Sequence, residues 1–406
     1  MLRRVFKAFQ YRDFRILWIG ACTSTIGTWM QEVAQNWLVL QLTNSPFLLG
    51  LDAFLGDIPI FLFSLFGGVL ADRIDRRYIL IGSQLVQMLS AATLSILIAT
   101  DHIDKNNIWI ILLSSFVVGT AQSFGGPAYS ALVPSLVEKE DVPNAIALNS
   151  IQFNLARVIG PVVGGLAMKY AGAAWCFGLN ALSFFAVIIS LLRLHINFKP
   201  PRTGHSIMTS MKQGFAFIRD QGAMATLIII AFCMTLLAIP IITFLPVFAK
   251  IVFASDEMTY TIFLAASGLG SITGALTVAW LGDVKNKGRF ALGSLVLMGL
   301  GMIGFAQSKS VVISCVMLYF TGIMLMCAFT MIASLVQLIT PNDMRGRVMS
   351  VYNVAFRGGM PFGSVLTGWL VSLPMLTAPL VLSLNGVVLL GLGLYFLLIQ
   401  RRVAAL

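Results

Sequence analysis

The chain consists mostly of long apolar stretches separated by short polar connections. A helix that crosses a membrane needs about 20 apolar residues, because each residue adds only about 1.5 Å to its length. Such stretches recur throughout the 406 residues, of which 58% are hydrophobic and only 11% are charged. The sequence therefore predicts an all-α membrane protein with twelve transmembrane helices. The predicted spans are 15–41, 47–71, 77–100, 108–131, 145–169, 174–195, 223–249, 259–281, 289–307, 310–335, 347–372 and 376–399.

Lysine and arginine are concentrated in alternate connections between these spans. With the N-terminus placed inside the cell, 21 of the 27 basic residues fall on that side, and only Lys105, Lys169, Lys250 and Lys309 fall on the other. Cytoplasmic loops of membrane proteins carry such an excess. We therefore expect a multi-pass protein of the inner (cytoplasmic) membrane with both termini in the cytoplasm. The net charge of +11 then requires no nucleic-acid partner.

The longest polar interruption divides the spans into six and six. We predict an N-terminal six-helix bundle at 1–196, a cytoplasmic linker at 197–222 and a C-terminal six-helix bundle at 223–406. Four apolar residues in the linker recur at helical spacing: Met208, Met211, Phe215 and Ile218. This pattern favours an amphipathic helix, either on the inner membrane surface or as an ordinary linker.

The two halves of the sequence resemble each other. Arg157 precedes Pro161 by four residues in the fifth span, and Arg357 precedes Pro361 by four residues in the eleventh. The two arginines are 200 residues apart, and their spans correspond if six helices repeat as six. Halves repeated in parallel, with pseudo-twofold symmetry, are typical of transporters that work by alternating access.

The loop after the second span carries a motif with a known counterpart. Five of its residues match the pattern G-x-x-x-D-R-x-G-R-R, with Asp75 at the second glycine position: Gly68, Asp72, Arg73, Arg76 and Arg77. In this motif the chain resembles the major facilitator superfamily. Further stretches, including "QEVAQNWLVLQLTNSPFLLGL" and "DMRGRVMSVYNVAFRGGMPFGS", resemble its third drug:proton antiporter branch, which includes enterobactin exporters and macrolide-efflux proteins.

That resemblance implies an inner gate at this loop. Asp72 would pair across to the other half and cap a helix N-terminus, and Gly68 would allow a close helix approach. The alternative is that the arginines serve only as anchors on the cytoplasmic side. Asp283, in the corresponding loop after the eighth span, is a degenerate second copy of the gate.

The fifth span carries a second family motif. "ARVIGPVVGG" resembles the antiporter signature G-x-x-x-G-P-x-x-G-G, with Ala156 at the first glycine position. Within the superfamily the signature implies export, although generic small-residue packing would also use these residues: Gly160, Pro161, Gly164 and Gly165. Because proline removes one backbone hydrogen bond, we expect a kinked, closely packed helix.

Five ionisable residues lie inside predicted spans, where a charge costs at least about 2.5 kcal/mol. They are Glu32, Asp52, Asp57, Arg157 and Arg357. Such groups normally face the bundle interior or water and pair with each other. Counting residues from the ends of the spans places Asp52 nearer the outer surface and the other four at similar depth.

The first span also has a polar stripe, which the superfamily resemblance places on the transport path. Thr25, Thr28, Glu32 and Gln35 recur every three or four residues and share one helical face. Because burial raises a carboxylate's pKa and a nearby arginine lowers it, our hypothesis is that Glu32 couples transport to protons, with Asp57 second. The alternatives are a static ion pair, for example with Arg157, and direct cargo contact. Arg157 and Arg357 could bind an anionic cargo or modulate the carboxylates.

Other functional classes have little support in the sequence. The three histidines lie in or near loops, and no H-E-x-x-H, G-x-S-x-G or nucleotide P-loop occurs. We therefore expect no enzyme, cofactor or metal site. The favoured function is proton-coupled export of a small amphiphilic molecule, siderophore or drug, by a monomer in membrane lipid. Trp29 and Trp37 mildly favour a large amphiphile. The rival within transport is a lysophospholipid flippase or facilitated lipid carrier.

Overall fold

The computed structural model describes residues 6–195, 207–282, 284–342 and 344–406, without the side chains of 207–212 and 220. The chain divides into two compact units, which are considered separately below. Unit 1 comprises Met1–Asn44 and Leu55–Gly204, and unit 2 comprises Ser45–Phe54 and His205–Leu406. Within the described ranges every regular element is a helix.

The long helices follow one another with short connections. Those that begin in the first 195 residues are α1 (Arg12–Thr43), α2 (Pro46–Arg73), α3 (Arg76–Ala99), α4 (Trp109–Leu132), α5 (Val142–Ala171) and α6 (Ala173–Leu192). After the linker come α7 (Ile207–Asp220), α8 (Gly222–Ala238), α9 (Glu257–Leu281), α10 (Lys287–Gln307), α11 (Val311–Ile339), α12 (Arg345–Val371) and α13 (Ala378–Leu394). Short helical segments continue α8 to Val252 and α13 to Ile399.

Each predicted span coincides with one of these helices, with ends that differ by four residues at most. Within the described residues, ten helices are long and apolar enough to cross a membrane, which supports a multi-pass membrane protein. Apart from the linker helix α7, the helices outside that group are α1 and α12, although they have 32 and 27 residues. These are the helices that carry Glu32 and Arg357, so polar side chains lower their hydropathy. That they also cross the membrane stays a prediction.

Close helix contacts in unit 1 are made through small residues. Helix α1 packs against α5 and α6, and α3 packs against α4 and α6. A methyl group added at Gly164 of α5 would lie 2.9 Å from the carbonyl oxygen of Met30 in α1. On the other side of α1, a methyl group at Gly27 would overlap the side chains of Ser183 and Asn180 in α6. Such contacts replace the hydrophobic driving force that lipid does not supply between helices.

The N-terminal segment is tied to the start of α5 by a buried carboxylate. Asp141 is only 4% exposed, and its Oδ1 lies 2.7 Å from the Lys7 ammonium. Tyr11 and Gln10 donate hydrogen bonds to Oδ2 at 2.8 and 3.1 Å. The backbone N–H of Ala8 donates to Asn144 Oδ1 at 2.8 Å. These bonds hold the short helix Lys7–Gln10 against one end of the unit 1 core.

Replacing Asp141 with asparagine should lower the thermal unfolding midpoint, because the amide has no negative charge to pair with Lys7 and has an NH2 donor in place of one of the two accepting oxygens. The hydrogen bond between Lys7 and Asp141 raises the pKa of the Lys7 ammonium and lowers the pKa of the Asp141 carboxyl, so this stabilisation is lost as pH rises through the raised pKa or falls through the lowered one. The deficit should therefore be constant between about pH 6 and pH 9. Unfolding of the purified protein would be followed in detergent. Glu140→Gln is the matched control, and equal deficits in both variants would contradict this role.

Unit 2 is built on similar helix pairs. Helix α8 packs against α12, α9 against α11, and α10 against both α11 and α13. Methyl groups at Gly359 and Gly363 of α12 would overlap the backbone of α8 at Phe232 and Leu236. The first part of α2 also belongs to this unit, where Gly50 lies against the backbone of Ser364.

The predicted linker helix forms as α7 and packs on the start of α12. A methyl group at Gly214 would lie 2.8 Å from the carbonyl oxygen of Arg347. Ile218 is buried and Phe215 is 61% exposed, so these two predicted apolar positions do not share one environment. The side chains of Met208 and Met211 lie outside the described part of the chain. A helix forms here, whereas its amphipathic character and a position on the membrane surface stay predictions.

Candidate functional site

Helices α1 and α5 bring together two charged and two aromatic side chains, here called the Glu32–Arg157 cluster: Trp29, Glu32, Phe153 and Arg157. The guanidinium carbon of Arg157 lies 5.9 Å from the centre of the Trp29 ring. The rings of Trp29 and Phe153 meet edge to face at 6.1 Å. The carboxylate of Glu32 is close enough to attract Arg157 electrostatically. A cation above an indole face is a favourable arrangement, so the charges and rings support one another.

The cluster forms because of helix spacing and a close helix contact. Trp29 and Glu32 are three residues apart, and Phe153 and Arg157 are four apart, so each pair shares a helix face. Gly160 lies one turn beyond Arg157, and a methyl group there would lie 2.9 Å from the carbonyl oxygen of Ile26. The glycine therefore lets α5 approach α1 at the level of Trp29. Helix α5 continues without a break through Pro161.

The cluster is accessible from outside unit 1. Glu32 is exposed, Phe153 is 51% exposed, and Arg157 and Trp29 are half-buried. It offers a carboxylate that can bind a proton, a guanidinium that can pair with an anion, and rings that can stack on a flat apolar group. Among the described residues, no group of three or more His, Cys, Asp or Glu is arranged to hold a metal ion.

The predicted polar stripe of α1 divides between neighbouring helices. Thr25 accepts a hydrogen bond from Gln152 of α5 at 2.8 Å, whereas Gln35 donates one to Ser115 of α4 at 2.8 Å. Thr28 is exposed and donates to the Ser24 carbonyl of its own helix at 2.9 Å. The stripe thus holds α1 to α5 at one level and to α4 at another, and it leaves Thr28 and Glu32 accessible.

The other ionisable residues are distributed between the units. Asp57 is half-buried in the unit 1 part of α2. Asp52 is buried in the part of α2 that belongs to unit 2, and Arg357 is exposed on α12. Of the predicted pairings, the structure brings Glu32 near Arg157. Roles for Asp52, Asp57 and Arg357 stay predictions.

Two arginines of the 68–77 loop bind the ends of other helices. Arg76 donates to the carbonyl oxygens of Ala71 at 3.3 Å and Ala131 at 2.8 Å. Arg77 donates to the carbonyl oxygen of Leu194 at 3.0 Å. These carbonyls belong to the last turns of α2 and α4 and to the residues that follow α6. Because such carbonyls lack partners within their helices, the arginines stabilise three helix ends at once.

The remaining residues of this loop differ in environment. Asp75 caps α3 by accepting a hydrogen bond from the backbone N–H of Arg77 at 2.9 Å, which gives the departure from glycine a local function. Asp72 is half-buried and Arg73 is exposed. The close approach predicted for Gly68 is wrong, because no described atom lies within 4 Å of a methyl group added there; Gly67 makes the contact, with Ser123 of α4. Asp283 lies outside the described residues.

Sequence reasoning missed two features near the cluster. Phe153 is one of many aromatic residues in apolar spans. Its position four residues before Arg157, on the same helix face, was the one feature that could have linked it to the cluster. The second is a buried polar group between α1 and α6, in which Asn180 donates to Gln31 Oε1 at 2.7 Å and Ser183 donates to Asn180 Oδ1 at 2.9 Å. The sequence signal that could have indicated this group is Asn180, a polar residue inside a predicted span.

The fold is shared with solved structures of known proteins. The structure of the nucleoside transporter NupG is similar, with a TM-score of 0.73 at 17% identity and coverage of 95% of this chain and 98% of the other. The D-xylose-proton symporter has a TM-score of 0.74 at 13% identity, with 95% and 97% coverage. At these identities the likeness establishes the fold alone.

The sequence is similar to named exporters along most of its length. The enterobactin exporter EntS of Shigella boydii serotype 4 is 25% identical over 397 residues, which cover 96% of this chain and 92% of that protein. Its counterpart in Citrobacter koseri is 26% identical over 395 residues, with the same coverage. The family described as transmembrane secretion effector matches residues 4–404. The chain belongs to this family of the major facilitator superfamily, and it is a multi-pass membrane transporter, not an enzyme.

Proposed function

We propose that this protein exports a small amphiphilic molecule, of siderophore or drug type, by alternating access in exchange for protons. The observation that carries the proposal is the Glu32–Arg157 cluster, which combines a titratable carboxylate, a cation and two aromatic rings on accessible helix faces. The relatives named as enterobactin exporters support the direction of transport and an amphiphilic cargo. In this proposal the protein lies in the inner (cytoplasmic) membrane, with both termini in the cytoplasm.

The proposal includes two six-helix bundles, at 1–196 and 223–406, joined by a cytoplasmic linker at 197–222. All of the long helices except α7 would cross the membrane, including α1 and α12. Support comes from matching helix pairs, because glycines of α5 pack on α1 in unit 1 and glycines of α12 pack on α8 in unit 2. A pseudo-twofold relation between bundles is the usual basis for rocking around a fixed site.

The chemistry of the cluster restricts the cargo if transport is an exchange. Protons and cargo must then exclude each other at the coupling group. A cargo hydroxyl, amide or ammonium that donates to Glu32 would favour the ionised carboxylate and so displace the proton. A cargo anion bound only to Arg157 would instead remove the attraction that keeps Glu32 ionised, so proton and cargo would bind together. Exchange therefore requires a hydrogen-bond donor on the cargo facing Glu32, with Asp57 as the second candidate coupling group.

In this proposal the family motifs contribute an inner gate and the close contact between α1 and α5. Asp72 and Arg73 would form and break contacts at the inner end, while Arg76 and Arg77 hold the helix ends from which they project. Gly68 would leave room for that movement, and Asp283 would belong to a second copy of the gate in the other half of the chain. Gly160, Pro161, Gly164 and Gly165 would support the export cycle through the α1–α5 contact.

The test uses everted membrane vesicles with an acidic interior and a panel of catecholate siderophores, macrolides, dyes and lysolipids. Proton efflux from the lumen and cargo uptake would be followed together, against vesicles without the protein. We expect at least one amphiphile to trigger proton efflux while it enters the lumen. Cargo uptake with no proton flux would overturn exchange and favour facilitated movement. Uptake of lysolipids alone would favour the flippase.

A further inference from the structure

At one end of unit 2, the structure gathers three arginines from separate parts of the chain, here called the basic rim: Arg219, Arg401 and Arg402. Arg219 lies in the last turn of α7, and all three side chains are exposed. The guanidinium of Arg402 lies directly against Gly222, three residues after Arg219 at the start of α8. This contact brings the end of α7 and the C-terminal segment to the same end of unit 2, although they lie about 180 positions apart in sequence.

The C-terminal segment is held in place, so the arginines on it are positioned. Val403 is fully buried, and its carbonyl lies against Gly288 at the start of α10. The segment closes on itself, because the N–H of Ala405 donates to the carbonyl of Arg401 at 3.0 Å. The side chain of Arg401 also donates to the carbonyl of Leu398 at 3.1 Å. Little conformational freedom is left to lose when such groups bind a ligand.

Apolar side chains adjoin the basic rim. Ile399 is 74% exposed and comes two residues before Arg401, and Phe215 is 61% exposed and lies one turn before Arg219 on the same helix face. In a membrane protein, exposed apolar residues next to exposed arginines mark the boundary between hydrocarbon and headgroups. This juxtaposition fits a position at the depth of lipid phosphates.

The charge of the rim is left largely uncompensated. Within the part of the chain that the structure describes, none of the three guanidinium groups forms an ion pair. In the sequence, Asp220 follows Arg219, and Arg345 begins the helix on which α7 packs, so the formal charge of these residues together with the rim is positive.

We propose that the basic rim binds the phosphate of an anionic phospholipid in the leaflet that it faces. Guanidinium groups bind phosphate oxygens with paired, charge-assisted hydrogen bonds. The acyl chains would lie along Ile399 and Phe215. A lipid held this way would connect α7, α8 and the C-terminal segment. This inference concerns lipid and does not rest on the proposed cargo or on proton exchange.

The test compares phospholipid retention by the full-length protein from nanodiscs containing phosphatidylcholine with or without phosphatidylglycerol. Retained lipid would be counted by native mass spectrometry, and thermal unfolding would be measured in the same nanodiscs. The variant is Arg401→Gln with Arg402→Gln, and the control is Lys139→Gln with Arg193→Gln, two exposed basic residues of unit 1. We expect the variant to lose about tenfold in affinity for phosphatidylglycerol, together with its thermal stabilisation, and the control to keep both.

Two results would overturn the proposal. Retention by the variant equal to that of the wild type would show that the rim is not the site. An equal loss in the control would show that lipid responds only to total charge. Soluble glycerol phosphate should not compete, since it lacks the acyl chains. If the double variant fails to fold, Arg219→Gln against Lys139→Gln gives the same comparison, because Arg219 lies outside the C-terminal segment.

Discussion

Glutamine in place of Glu32 should abolish cargo-driven proton efflux while the protein still folds and inserts. Glutamine keeps the size and hydrogen-bonding capacity of the side chain but cannot exchange a proton at neutral pH. If Glu32 is the coupling group, cargo can still bind near Trp29 and Phe153, but its release on the far side no longer uses the proton gradient. Everted vesicles with an acidic interior, tested with a cargo that the wild type transports, would measure both fluxes.

A static ion pair predicts a different result for the same substitution. Removing one member of a buried pair leaves the other charge uncompensated, which typically destabilises a protein by about 3 to 5 kcal/mol, and the half-exposed position of this pair reduces that figure. The double variant Glu32→Gln with Arg157→Gln then separates the two roles. For a static pair the second substitution restores stability and transport. For a coupling carboxylate it can restore stability, but proton efflux stays absent.

The matched control for Glu32→Gln is Glu138→Gln, an exposed residue in the connection before α5. It removes the same charge from unit 1 and lies far from the cluster along the sequence. We expect its fluxes to match those of the wild type. Proton efflux in Glu32→Gln at the wild-type rate would remove Glu32 from the coupling path and leave Asp57 as the next residue to test.

The helices could be predicted from the sequence almost to their ends, because apolar length alone determines where a chain can cross a lipid bilayer. The proximity of Glu32 and Arg157 was also predictable, since residue counts put them at similar depth and buried charges need partners. Phe153 could not be identified in this way. Aromatic residues are common in spans, and only the rotation of α5 against α1 determines which of them lies beside Trp29.

The predictions from sequence fail where adjacent residues of a helix point toward different neighbours. Gly67 and Gly68 are adjacent in sequence, yet Gly67 faces α4 and Gly68 faces open space. Residues next to each other on a helix point about 100° apart, so a motif match locates the loop but not the face that packs. The same limit explains why Thr25 and Gln35, predicted to line one path, bond to α5 and α4 respectively.

Alanine at both Gly160 and Gly164 should separate α1 from α5 and disrupt the cluster between them. The added methyl groups would lie 2.9 Å from the carbonyl oxygens of Ile26 and Met30, closer than a carbon atom can approach a backbone oxygen without a shift. The methyl group at Gly160 would also overlap Cβ of Trp29. Because Cβ and backbone atoms do not move when a side chain changes rotamer, no side-chain rotation can relieve these overlaps. Overpacking of this kind typically costs about 1 to 3 kcal/mol per site.

The decisive comparison is with alanine at Gly82 and Gly126, which also lie within helices of unit 1 and have no described atom within 4 Å of an added methyl group. That control should be neutral or slightly stabilising, since alanine favours helix by up to about 1 kcal/mol over glycine. Thermal unfolding in detergent and cargo uptake would be measured for both pairs. A lower unfolding midpoint with lost uptake in the Gly160 and Gly164 variant alone would show that close packing of α1 on α5 positions Trp29 and Glu32 against Phe153 and Arg157. Equal behaviour of the two pairs would mean that the signature glycines do not position the cluster.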